Sequence, residues 1–188
     1  MNHLSSFQVL SHCWEHGLYD ALLYIYNQGL HDYVTPLNRL LDHLTDALST
    51  TSQHTSEQVQ LGNKTLVYIS CCLSGRSYPL GDIPQDLIAP VRDGILGCLT
   101  MKCLPENCNM KTEFPYLRAL INFDAREFFN VLELAFEVDG FEREKKQRLV
   151  DRILTLMVED TTFSPAQVRT LLLWGLLCIL AHYLKCQC

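Results

Sequence analysis

His12-Cys13-Trp14-Glu15-His16 is the constellation in this chain with the most obvious chemical potential. It fits H-x-x-E-H, the inverted zinc-protease pattern, and on a helix it sets two imidazoles one turn apart with a carboxylate beside one of them. A catalytic zinc also needs a third ligand, an open coordination position and a helix that continues around the site. Gly17 follows His16 directly and is a helix terminator. The simpler reading makes His12 and His16 ordinary residues of a last helical turn, where an imidazolium suits the negative end of the helix dipole. No metal is therefore expected there. A zinc-dependent hydrolase using His12 and His16 stands as an alternative function.

Cysteines offer a second possible ligand set. Cys98, Cys103 and Cys108 follow one another at x4 spacing, but a structural zinc site needs four ligands, and Cys98 falls on one apolar helical stripe with Ile95 and Leu99. Cys71 and Cys72 are adjacent, so on a helix their side chains point about 100° apart and share neither a disulfide nor a metal. Cys71 and Cys72 read as small buried hydrophobes. No serine sits in a strand-to-helix elbow and no cysteine has a protease-like context, so no catalytic residue and no cofactor is expected. Glu142 with Lys146 and Glu144 with Arg148 are i, i+4 pairs of a solvated helix face.

The elements that position these residues are helical almost throughout. Leu37, Leu40, Leu41, Leu44 and Leu48 trace one face of a helix, and Phe128, Val131, Leu132, Ala135 and Phe136 repeat the pattern. Pro36 suits a first helical turn after Thr35. Thr55 with Gln58, Asp124 with Glu127, and Ser164 with Gln167 can each form a capping box, and Pro165 strengthens the last. Gly17, Gly29 and Gly75 mark stops. These signals predict helices near 4–16, 18–28, 36–49, 56–74, 86–102, 114–121, 125–137, 141–159 and 165–184. Pro90 should kink its helix or begin it. Links near 49–55 and 104–112 are the longest expected loops. Consecutive helices on short links, without strand patterns or a phosphate-binding glycine loop, predict an all-α fold, an α-solenoid of stacked helical hairpins.

Composition narrows the function. A hydrophobic fraction of 48% with 19% charged residues is that of a folding chain, far from the profile of a disordered one. A net charge of −6 supplies no broad basic surface for nucleic acid or anionic membrane. The nine cysteines are odd in number, and 1–10 does not read as a signal peptide, so a reducing, cytoplasmic setting is expected. In that setting the Asn63-Lys64-Thr65 glycosylation pattern has no use.

The end of the chain reads differently. Leu171 to Ala181 is uninterruptedly apolar and includes Trp174 and Cys178, yet falls short of the ~20 residues of a membrane span. A membrane-attached helical protein using this tail is the other alternative function. Cys186-Gln187-Cys188 is similar to a prenylated Rab terminus, but the GTPase phosphate loop that would accompany it is missing.

Four blocks resemble the vacuolar protein sorting-associated protein 8 family. They are CWEHGLYDALLYIYNQGLHDYVTPL from Cys13 to Leu37, LGNKTLVYISCCLSGRSYPLGDIPQDL from Leu61 to Leu87, FPYLRALINFDAREFFNVLELAFE from Phe114 to Glu137, and QRLVDRILTLMVEDTTFSPAQV from Gln147 to Val168. The resemblance implies a clathrin-heavy-chain-like α-solenoid segment of the subunit specific to the CORVET endosomal tether. It implies a non-enzymatic scaffold, cytoplasmic and peripheral on early endosomes, acting in endosome fusion and endosome-to-vacuole or lysosome trafficking. Its implied partners are the other tethering-complex subunits, and a Rab GTPase reached through a propeller or RING region outside these residues. Neither nucleic acid nor more than peripheral membrane contact is implied. The resemblance stops near Arg169, which divides the chain into a solenoid segment, 1–168, and a divergent apolar tail helix, 169–188, expected to be a truncated or alternative end.

Overall fold

Leu37, Leu40, Leu41 and Leu44 are completely shielded from solvent, and the fold is built around that stripe. The computed structural model describes residues 6–50, 55–102, 113–138, 141–159 and 163–170, together with Leu173. Its helices are α1 (Ser6–Glu15), α2 (Tyr19–Tyr24), α3 (Thr35–Thr50), α4 (Ser56–Leu73), α5 (Gln85–Leu99), α6 (Pro115–Glu137) and α7 (Arg143–Glu159), with a π-helical turn, Ile25–Gly29, continuing α2. Among the described residues there is no β-strand, only an isolated bridge between Arg76 and Asp82. The expected all-α solenoid is what the chain forms.

Helices α3, α4 and α6 pack on one another and carry the core, α1 pairs with α2, and α5 lies against α4. The second leucine and phenylalanine stripe does its part on α6, where Phe128 and Leu132 are fully buried and Ala135 nearly so. Each such large side chain is worth roughly 1.5–3 kcal/mol on burial, so the apolar faces, not helix propensity, hold the layers together. Tyr116 on α6 donates to Asp42 Oδ1 on α3 at 2.5 Å, adding one polar rivet across that contact.

The helix ends follow local chemistry. Thr55 accepts from the Gln58 backbone while the Gln58 side chain accepts from Thr55, and Gln58 also donates to the Ala47 carbonyl at 2.7 Å, joining the end of α3 to the start of α4. Ser164 and Gln167 make the same reciprocal pair at 2.8 and 3.3 Å, and 165–170 is helical. Asp124 has φ −156° and ψ 93° inside α6 and caps Glu127 at 3.0 Å, so the expected division between 114–121 and 125–137 is present as a break within one long element.

Several details depart from the sequence reading. Asp32, not Thr35, closes the start of α3, its Oδ1 accepting from Val34 and Thr35 at 3.1 and 3.0 Å. Gly17 and Gly75 are left-handed as stops require, but at the end of the π turn the positive φ falls on His31. Pro90 lies inside α5, which starts earlier, at Gln85 behind Pro84. Lys145 on the charged face of α7 reaches Glu142 at 3.0 Å and Asp93 of α5 at 2.6 Å, so this side chain ties two helices. The 104–112 loop and most of the tail lie outside the described residues. Among those described, no helix is long and apolar enough to cross a membrane.

Helix α5 supplies a controlled test of this packing. A Cβ on Gly94 would sit 2.5 Å from Val34 Cγ2, whereas Gly97, one turn on, has nothing within 4 Å. Val34 is β-branched and stiff at χ1, so it cannot simply swing away. Gly94→Ala should lower stability by about 1–3 kcal/mol through overpacking. Gly97→Ala should raise it by up to about 1 kcal/mol, the helix-propensity gain. Urea unfolding of the two variants checks this. Equal shifts would contradict the α5–Val34 contact.

Candidate functional site

Asn27 is fully buried in the π turn, and its amide organises the polar joint of the molecule. Its Oδ1 lies 2.8 Å from the Tyr68 hydroxyl of α4, and its Nδ2 donates to the Tyr78 carbonyl at 2.6 Å. The Tyr68 hydroxyl is also 3.0 Å from the Tyr33 carbonyl, so one phenol spans two chain segments. Burial pushes that phenol far above its ordinary pKa, and it acts as a fixed neutral donor. π turns are rare and occur frequently at functional sites, and this one carries the buried amide.

The neighbouring Gln28 completes a clamp. Its Nε2 donates to Ser77 Oγ and to the Leu80 carbonyl, each at 3.1 Å. The loop between α4 and α5 is folded on itself as well, with Ser77 N bonded to the Gly81 carbonyl and Ile83 N to the Gly75 carbonyl, both at 3.0 Å. Gly81 has φ +93°, which only glycine adopts without strain. Ser77 and Ile83 are buried. The loop is thus held at both ends and in the middle, while Leu80 at its tip is 72% exposed. Tyr24, one turn before Gln28, is 51% exposed.

A charged cluster edges the clamp. Lys64 Nζ lies 2.6 Å from Asp20 Oδ1 and 2.6 Å from the Tyr78 hydroxyl, and that hydroxyl donates to Asp20 at 2.5 Å. The bonds from Lys64 and Tyr78 hold the Asp20 carboxyl below its ordinary pKa. Burial alone would lower the Lys64 pKa, but the bonds to Asp20 and Tyr78 outweigh it and leave it raised. The three residues, from α2, α4 and the loop, form one ion-paired patch.

His12, Glu15 and His16 are exposed on the last turn of α1 and its extension, with one ligand atom from each inside a 4.8 Å set. Cys98, Ile95 and Leu99 share a buried face as expected. Burial raises the Cys98 thiol to about 11 and the Cys72 thiol to about 12, which makes both inert. Cys71 is only half buried, so the two adjacent thiols do face apart. Cys103, Cys108, Cys186 and Cys188 lie outside the described residues. Thr65 of the glycosylation pattern is buried and bonded to the Leu61 carbonyl at 2.8 Å. Sequence reading missed Asn27, Gln28, Tyr68 and Tyr78. The available signal was a pair of amides ending an aromatic helix, with a tyrosine and proline in a glycine-bounded loop.

Comparison with known proteins gives a consistent result. Residues 1–136 match the family described as Vps8 central TPR. The chain is 45% identical over 166 residues to the vacuolar protein sorting-associated protein 8 homolog of Mus musculus, an alignment covering 86% of this chain and 12% of that protein. It is 37% identical over 181 residues to the Drosophila melanogaster homolog, covering 96% of this chain and 14% of the relative. Vacuolar protein sorting-associated protein 8 of Schizosaccharomyces pombe is 31% identical over 144 residues, 73% of this chain and 11% of the relative. The chain therefore spans only about an eighth of the relatives' length, as the 12% coverage shows.

The Asp20 cluster carries a pH signature. A depressed carboxyl pKa contributes stability above its unfolded value, near 3.8, and loses it as pH falls through the lower folded value. At neutral pH Asp20→Asn should cost less than about 1 kcal/mol, because the carboxylate is largely exposed. The gap between Asp20→Asn and the unmodified chain should then close in acid below that window. Denaturation curves from neutral to acid pH check it, and a gap unchanged in acid would remove charge as its cause.

Proposed function

We propose that this chain, which belongs to the Vps8 family through its central TPR region, is a protein-binding scaffold segment of an endosomal vesicle-tethering subunit. It serves vacuolar protein sorting by holding other subunits of the CORVET tether in place for endosome fusion. It is peripheral on early endosomes, and any contact with a Rab GTPase is made through parts of the longer relatives that this chain does not span. The role is binding and not turnover, because the buried polar groups of the joint are committed to holding segments together: Asn27 to Tyr68 and Tyr78, Gln28 to the loop.

The observation that carries this reading is the clamped loop. Leu80 is 72% exposed at the tip of a loop whose backbone is fixed by Gln28, Asn27 and its own internal bonds. An exposed apolar side chain on a rigid loop has little ordering entropy left to lose on binding, which favours a protein partner. Tyr24 beside the clamp is the residue type enriched at interface centres.

The test uses the tagged chain and individually purified tether subunits. Co-elution with at least one subunit is expected, and Leu80→Asp should weaken that binding by about tenfold or more while leaving thermal unfolding unchanged. If no subunit is retained, with a full-length relative binding in parallel, the scaffold reading fails for this segment. If binding is intact in Leu80→Asp, the docking surface is elsewhere.

A further inference from the structure

Two imidazoles and a carboxylate converge at the end of α1. His12, Glu15 and His16 are all exposed, and their ligand atoms lie within 4.8 Å of one another. The imidazole rings are nearly parallel, 8° apart with centroids at 6.0 Å, and His12 Nδ1 is already 3.5 Å from Glu15 Oε2. A metal bound at about 2.1 Å to each would need donor atoms roughly 3.4 Å apart in tetrahedral geometry. Closing the set therefore requires side-chain rotation only, and exposed side chains rotate freely.

The backbone beneath them is held. Cys13, between the ligands in sequence, is buried, and Trp14 stacks on His43 of α3 with centroids 4.7 Å apart. Leu18 N bonds the Cys13 carbonyl at 2.8 Å and His16 N the His12 carbonyl at 3.1 Å. The turn is pinned on its inner side and presents its three donors outward. A cation here also meets the negative end of the α1 dipole.

We propose that this turn is a labile site for a divalent transition metal of the zinc class, ligated by His12, His16 and Glu15, with water in the remaining positions. Two nitrogen donors and one oxygen favour such a metal over calcium or magnesium, which prefer oxygen throughout. The site is not the hydrolase weighed above. All three ligands come from one turn that ends at Gly17, and all three are exposed among the described residues.

The chain has nine cysteines, so the experiment must separate imidazole from thiolate binding. The reduced full chain is titrated with cobalt(II) and followed by absorption, then with zinc in competition against a chromophoric chelator. The expected result is one site with weak visible bands and no intense near-ultraviolet thiolate band. In a variant carrying His12→Ala and His16→Ala, affinity should fall by about tenfold or more, because only the carboxylate remains as a ligand. Thermal unfolding of the metal-free variant should match that of the unmodified chain. A strong thiolate band, unchanged affinity in the double variant, or no binding at all would each overturn the proposal. None of these outcomes depends on the scaffold reading.

Discussion

A primary amide sealed from water must find partners for its oxygen and its N–H groups inside the protein, or it costs several kcal/mol. Asn27 is such an amide, and satisfying it fixes three parts of the chain at once. The π turn must present it, α4 must bring the Tyr68 hydroxyl to its oxygen, and the loop after α4 must bring the Tyr78 carbonyl to its nitrogen. Once these are in place, Gln28 falls opposite Ser77 and Leu80, and Lys64 opposite Asp20 and Tyr78. The exposed tip at Leu80 is thus a consequence of a buried bond made elsewhere.

Apolar packing supplies stability and the amide supplies position. The leucines of α3 and the phenylalanines of α6 would favour any close stacking of amphipathic helices, since burial is not directional. Close approach at chosen points sharpens the arrangement. Gly62 lies under the Phe123 ring, where a Cβ would come within 2.3 Å, and Gly94 admits Val34. The basic side chains of the later helices act similarly at the joints, Arg152 over Phe114 at 5.2 Å and Arg118 over Phe163 at 5.8 Å. These are the contacts that make one stacking of hairpins preferred over its neighbours.

Much of this was legible from residue spacing because helices are local objects. The stripes at Leu37 to Leu44 and Phe128 to Ala135, the boxes at Thr55 and Ser164, and the break at Asp124 all depend on residues within a turn or two of one another. The joint was not legible because its partners are far apart in sequence, Asn27 being 41 residues from Tyr68 and 51 from Tyr78. The π turn hides for a related reason: one additional residue per turn leaves the apolar pattern of Leu22, Leu23 and Tyr26 still helical in appearance. At the histidines the spacing already set Glu15 beside one of two imidazoles a turn apart, and the fold holds ligand atoms of all three within 4.8 Å of one another.

The central claim is that the Asn27 amide makes α2, its π turn and the loop before α5 a single cooperative unit. Native-state amide hydrogen exchange on the unmodified chain and on Asn27→Ala tests it most directly, with α6 as internal reference. The account predicts that Ser77 and Ile83, whose amides are bonded within the loop, lose protection together with the amides of α2, while protection in the middle of α6 is retained. Unchanged protection at Ser77 and Ile83 in the variant would contradict it.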